Sequence, residues 1–142
     1  MQTIHELVQG RVLYSVEVGD TVLQAARSML QHRIGAMPVM RGSELAGIFT
    51  ERDVMNRVVA EQRDPSRTLV AEVMTAAPLC VSPGESLEQC MLLMKQHGFR
   101  HLPICEGTRI LGLVSLRDLL LKEVEEKDGE VQAMRAYIHT NT

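Results

Sequence analysis

The sequence predicts an α+β protein built from two copies of one unit, packed through their sheets about a pseudo-two-fold axis. Three observations carry this reading. Shifted by 65 residues, residues 16–55 align with residues 81–120 without a gap, and 11 of the 40 positions are identical. Within each copy the apolar pattern runs in the order strand, helix, strand, strand, helix. The chain has 142 residues and 45% apolar content, enough for one folded module, whereas a single copy buries too little surface alone. By chain order, residues 1–66 form the first unit with its N-terminal segment, 67–127 a linker and the second unit, and 128–142 a helical tail.

Each copy opens with an extended stretch, residues 12–18 or 79–81, followed by a helix-start signal. Thr21 precedes Gln24 and Ser86 precedes Gln89 by three residues, the spacing of a capping box. Val22, Ala25, Ala26, Met29 and Leu30 then recur at helical spacing, as do Leu87, Cys90, Met91 and Met94, so each helix runs to about His32 or His97. Leu92 and Leu93 mark the second helix as the more thoroughly buried. Hairpins follow, 36–40 with 45–49 and 101–105 with 110–114, turning at Gly42 and Gly107. Pro38 and Pro103 cannot donate to a ladder, so their strands are expected at an edge or to start at the proline. Gly47 and Gly112 fall inside strands, where glycine weakens a sheet unless a side chain or ligand must come close.

The closing helices start at Thr50-Glu51-Arg52-Asp53 and Ser115-Leu116-Arg117-Asp118. Val54, Met55, Val58 and Val59 supply the apolar face of the first; Leu119, Leu120 and Val124 supply that of the second. Between the copies Asp64-Pro65-Ser66 breaks the chain, residues 70–74 suit a helical turn, and Ala77-Pro78 leads into the second copy. Beyond Glu130, Val131, Met134, Tyr137 and Ile138 recur at helical spacing, which suits a short helix covering an edge of the same subunit or an oligomer contact.

Composition narrows the functions. A net charge of −3 without a block of five like charges gives no nucleic-acid stripe. Residues 1–20 carry His5, Glu6, Arg11 and Glu17 and no long apolar run, so no signal peptide or membrane span is expected and the cytoplasm is the expected location. Cys80, Cys90 and Cys105 are odd in number and widely spaced, as suits reduced packing residues rather than a disulfide framework or zinc site. Nine Met, no Trp, two Tyr and two Phe point to an aliphatic and thioether core. His32 and His97 each end a helix, where the dipole accounts for them, and His97 with His101 lacks further ligands for a metal. No nucleophile–base pair, P-loop or dinucleotide fingerprint is present, so no enzyme activity is expected.

The paired motif at the strand-to-helix junction carries the functional signal. A capping box explains Thr50 with Asp53, or Ser115 with Asp118. It requires neither the repeated Arg52 and Arg117 nor a glycine three residues before the cap. A helix N-terminus offers N–H groups and a positive dipole end to phosphate, a hydroxyl adds a hydrogen bond, and a carboxylate accepts from both hydroxyls of a ribose. A nucleotide satisfies all three.

The βαββα order, the G-x-x-[ST]-x-x-D segments at 47–53 and 112–118, and the segments Ile34-Gly35-Ala36-Met37-Pro38-Val39 and Phe99-Arg100-His101-Leu102-Pro103-Ile104 resemble a tandem pair of cystathionine-β-synthase (CBS) domains of the stand-alone bacterial kind. The resemblance covers nearly everything from Val12 to about Lys127. It implies a Bateman module: a non-catalytic regulatory module with two clefts for adenine nucleotides (AMP, ADP, ATP or NAD), a homodimer, and an unidentified regulated partner. The alternative is a ligand-free interaction module with degenerate clefts. Carried onto this sequence, the resemblance assigns Thr50, Arg52 and Asp53 to one cleft and Ser115, Arg117 and Asp118 to the other. Ala36, Met37 and Pro38, and Leu102 and Pro103, would line the adenine pockets, with Val16 and Val81 nearby. Arg100 and His101 match positions that often reach phosphate, but their counterparts are Gly35 and Ala36, so unequal clefts are expected.

Overall fold

The computed structural model describes residues 2–140. The first half runs α1 (Ile4–Val8), β1 (Val16–Glu17), α2 (Val22–His32), β2 (Ala36–Arg41), β3 (Glu44–Thr50) and α3 (Glu51–Asp53), which continues as a π-helical stretch, Val54–Val59. The second runs α4 (Val70–Val73), β4 (Thr75–Ala76), α5 (Leu87–His97), β5 (His101–Glu106), β6 (Arg109–Ser115) and α6 (Leu116–Thr140). One sheet has the order β1-β2-β3-β4, with β1 parallel to β2 and the rest antiparallel. The other pairs β5 with β6, and Val81 bridges in parallel to Ile104 as Val16 does to Val39. The hairpins turn on Gly42 and Gly107 at φ of 64° and 63°, a left-handed conformation cheap only for glycine.

Both predicted helix caps form. Thr21 Oγ1 accepts from the Gln24 N–H at 3.2 Å while Gln24 Oε1 accepts from the Thr21 N–H at 2.8 Å, and Ser86 Oγ accepts from the Gln89 N–H at 3.1 Å. The two cores are copies of each other. Val16, Val22, Ala25, Met29, Met37, Val39 and Phe49 of the first reappear 65 residues on as Val81, Leu87, Cys90, Met94, Leu102, Ile104 and Val114 of the second.

The helices that close these cores are exchanged along the chain. Val70 and Val73 of α4 complete the first core, and Ile4 and Val8 of α1 complete the second. Backbone bonds repeat the relation: Val70 and Ala71 donate to Asp20 and Val18 carbonyls at 2.8 and 3.3 Å, Ile4 and His5 to Glu85 and Pro83 at 2.8 and 3.1 Å. The N-terminal segment, grouped with the first unit by chain order, therefore packs on the second. This exchange explains the strand glycines. A β-carbon built on Gly47 would lie 2.6 Å from both Met74 Sδ and the Thr75 carbonyl oxygen, and one on Gly112 would lie 2.9 Å from Val8 Cγ2. The close neighbours are the Val8 side chain of α1 and, just past α4, the Met74 side chain and Thr75 carbonyl, not a ligand.

Several expectations require correction. β2 is internal, not an edge; β1 begins opposite Val39, one residue past Pro38. In the second copy Val81 donates to the Pro103 carbonyl at 3.0 Å, so the proline nitrogen, on the same side of the strand, faces the edge just before Val81 begins to pair. Met55 and Val59 are exposed, and Val58 is the deeply buried residue of the π-wound stretch, in which Ala60 donates to Met55 and Arg63 to Val58. Leu30, Leu92, Leu120 and Val124 are exposed as well, since each copy's helix buries one narrow row. Cys90 and Cys105 are buried, and burial pushes their thiols up to about 11 and about 12, but Cys80 is exposed. The tail is no separate helix folded onto its own subunit. α6 is continuous, carries Lys122–Glu125 and Lys127–Glu123 pairs at 3.7 and 3.5 Å, and leaves Val131, Met134, Tyr137 and Ile138 at least 45% exposed.

Substituting alanine at the two strand glycines is expected to separate a rigid clash from a yielding one. Gly47→Ala meets a backbone carbonyl and costs roughly 2–3 kcal/mol, whereas Gly112→Ala meets only Val8 on a short helix and costs about 1 kcal/mol. Urea unfolding of both variants checks the order; equal losses would contradict it.

Candidate functional site

The two units enclose a cleft of about 810 Å³. One wall is the end of β6 with the start of α6, including Gly112, Ser115, Arg117 and Asp118. Arg33, Ile34, Gly35, Ala36 and Pro38 of the first unit and Arg100 and His101 of the second form the others, and the crossing segment from Arg11 to Tyr14 runs along its rim. Tyr14 stacks on His32, with ring centroids 3.7 Å apart. His32 Nδ1 lies 2.9 Å from the Ser28 carbonyl, as expected for a histidine ending a helix.

The start of α6 is a closed capping box. Ser115 Oγ accepts from the Asp118 N–H at 3.1 Å and Asp118 Oδ2 accepts from the Ser115 N–H at 2.9 Å. The Leu116 N–H donates to the Arg100 carbonyl at 2.8 Å. Three of the four N–H groups opening the helix are thus taken, leaving that of Arg117. The first copy is built the same way: Thr50 and Asp53 cap each other at 3.2 and 2.9 Å, and Glu51 donates to the Gly35 carbonyl at 2.9 Å. The set of open amides expected from sequence is therefore mostly consumed by the fold.

The two aspartates differ in their cationic partner. Asp118 Oδ2 also meets Arg11 Nη1 at 3.0 Å, a residue from the crossing segment. Burial pushes the Asp118 carboxyl up, but the Ser115 N–H and hydroxyl and the Arg11 guanidinium outweigh it and hold the group below the usual carboxylate range. Asp53 is more deeply buried and faces Arg57 of its own helix at 3.7 Å; Arg57 also donates to the Val73 and Met74 carbonyls at 3.1 and 2.8 Å. His101 lies among Glu51, Asp118, Arg100 and Arg52, and burial outweighs the two carboxylates to push its imidazole below the ordinary histidine range. At neutral pH it offers a neutral ring, and the positive charge of the Arg100–His101 pair resides on Arg100. Among the described residues no three His, Cys, Asp or Glu side chains gather as a metal site, and no helix is long and apolar enough to cross a membrane.

The CBS domain family matches residues 8–60 and again 70–125. The chain belongs to the CBS-domain family. CBS domain-containing protein YhcV of Bacillus subtilis is 37% identical over 115 residues, covering 81% of each chain. The mitochondrial CBS domain-containing protein CBSX3 of Arabidopsis thaliana is 36% identical over 124 residues, covering 84% of this chain and 60% of its own length. Among solved structures, a CBS-domain protein of Burkholderia ambifaria superposes with a TM-score of 0.83 at 37% identity, covering 87% of this chain and 95% of the other. A CBS domain protein of Pyrobaculum aerophilum, solved with AMP, superposes with a TM-score of 0.76 at 21% identity over 85% of this chain and 97% of its own, a likeness of fold.

Within this CBS pair the cleft gathers Ala36, Pro38, Arg100, His101, Ser115, Arg117 and Asp118 of the residues singled out by sequence. Thr50, Arg52 and Asp53 lie at the corresponding junction of the first CBS motif, outside this cleft, where Arg52 Nη1 is 3.5 Å from the Gly98 carbonyl of the second. Met37, Leu102, Val16 and Val81 are in the cores, because strand alternation that turns Ala36 and Pro38 to the cleft turns Met37 inward. Pro103 is buried within β5 and does not line the cleft. Sequence reasoning missed Arg11, Tyr14 and Arg33. Arg33 was open to detection, since it occupies the position where the second copy ends its helix with Gly98.

Acidification tests the buried histidine. Because the folded-state value of His101 is depressed, the unfolded chain takes up this proton first, so stability falls as pH drops from about 7 to 5. The thermal midpoint of His101→Gln is expected to fall less over that interval than that of the unaltered protein. Parallel curves would place the protonation elsewhere.

Proposed function

We propose that this CBS pair is a non-catalytic regulatory module whose cleft at Ser115 and Asp118 binds an adenine nucleotide, AMP, ADP, ATP or NAD, and passes its occupancy to a regulated protein. The observation that carries the reading is the convergence of a carboxylate held ionised, a hydroxyl and arginines from both units on one cleft with apolar walls. The AMP complex of the Pyrobaculum relative supports the ligand class. Asp118 uses Oδ2 for its cap and for Arg11, which leaves Oδ1 for a ribose diol bound beside the Arg11 guanidinium. Occupancy is thereby linked to the segment joining α1 to β1. Nucleotide addition that leaves the thermal midpoint unchanged would favour the alternative of a ligand-free interaction module, since a ligand specific for the folded state must raise it.

Asp118→Ala is expected to weaken nucleotide binding about ten- to a hundredfold, the loss of a charge-assisted hydrogen bond of roughly 1.5–3 kcal/mol. Asp53→Ala is expected to act likewise on a second binding event at the first motif. Titration calorimetry reads both, and unchanged affinity in both variants would reduce the aspartates to caps.

The same reading includes a homodimer formed by the closing helices. Met55 and Val59 of the first motif and Leu120 and Val124 of the second are exposed and stand at equivalent positions 65 residues apart, a repeated apolar face. Val59→Glu combined with Val124→Glu is expected to sediment as a monomer. A chain ending at Lys127 is expected to keep both its melting midpoint and its dimer; a lower midpoint would show that the tail packs on its own subunit.

A further inference from the structure

Resting on the nucleotide reading, we propose that the cleft selects a ligand with two or more linked phosphates over a monophosphate, through Arg33, Arg100 and Arg117. The charge distribution points there. Of the chain's 15 Lys and Arg, four line this cleft, against two of its 18 Asp and Glu, in a protein of net charge −3. Arg11 is paired with Asp118, while among the described residues Arg33, Arg100 and Arg117 have no carboxylate within ion-pair distance. Three of the four helix amides that could hold a phosphate are occupied by the capping box and the Arg100 carbonyl, leaving that of Arg117, so phosphate recognition falls mainly to these side chains.

Arg33 supplies the decisive observation. It follows α2 in the left-handed region at φ 56°, where the second copy places Gly98 at φ 72°. An arginine there is strained relative to glycine, and its side chain lines the cleft. Arg33 from the first unit and Arg117 from the second both line this cleft, and neither has a carboxylate within ion-pair distance. A single phosphate engages one or two of the three arginines; a chain of phosphates spans all three.

Calorimetric titration of the full chain with AMP, ADP and ATP, in chelator so that the phosphates carry their whole charge, tests this. ATP is expected to bind roughly tenfold or more tightly than AMP, and more steeply with falling salt. Arg33→Gly is expected to raise the melting midpoint while reducing the ATP-to-AMP ratio, and Arg100→Ala and Arg117→Ala to reduce the ratio as well. Equal affinities for the three nucleotides would overturn the selectivity and leave the nucleotide reading standing; absence of any binding would remove both. A ratio unchanged in Arg33→Gly, with a raised midpoint proving the variant folded, would overturn the assignment to Arg33.

Discussion

Everything in this fold depends on a short helix lying directly on a strand glycine. Met74 reaches the backbone at Gly47, and Val8 reaches it at Gly112. A hairpin and one amphipathic helix leave their apolar surface half covered, and these contacts close it. The helix that does so is never the one adjoining in the same copy's own strand–helix–strand order. The first core waits for α4, beyond the π-helical stretch, and the second is closed by α1, which precedes the first copy. The crossing segment from Arg11 to Tyr14 must therefore run past both units, and that passage places Arg11 beside Asp118 and Tyr14 on the cleft rim.

The same economy governs the chemistry of the cleft. Three of the four backbone donors at each of the two helix starts are satisfied within the fold, as buried polar groups generally are. What remains for a ligand is carried mainly on side chains, and there the two copies diverge. The first keeps its aspartate deep and guarded by Arg57 of its own helix; the second holds its aspartate nearer to solvent, against an arginine from a distant segment. A symmetric scaffold thus carries asymmetric electrostatics, with the difference residing in a few exposed residues that the cores do not constrain.

The parts of the structure visible in the sequence are those set by local chemistry or by repetition. Thr21 with Gln24 and Ser86 with Gln89 announce helix starts because cap and partner are three residues apart, and matched glycines announce turns. Strand glycines and prolines announced a constraint without naming its source, since Met74 and Val8 approach from elsewhere in the chain. The apolar face through Met55 and Val59 is exposed, as is its counterpart through Leu120 and Val124, because helical spacing marks a face without saying what covers it. Met37 and Leu102 were placed with their cleft-lining neighbours although strand alternation separates them. Arg11 and Tyr14 were invisible because only the exchange of helices carries them to the cleft, whereas Arg33 stood in plain view as the exception to a repeated glycine.

The exchange of α1 also imposes an order of events on a chain made from its N-terminus. Ile4 and Val8 emerge about eighty residues ahead of the Leu87, Cys90, Leu102 and Val114 that form their seat. Until that distant stretch has left the ribosome, α1 is an apolar segment without a home. The first core, whose closing helix lies only some twenty residues beyond its hairpin, can assemble earlier. The nascent chain therefore passes through a stage with one finished half and one uncovered apolar helix, the stage at which aggregation or a protective factor has its opportunity.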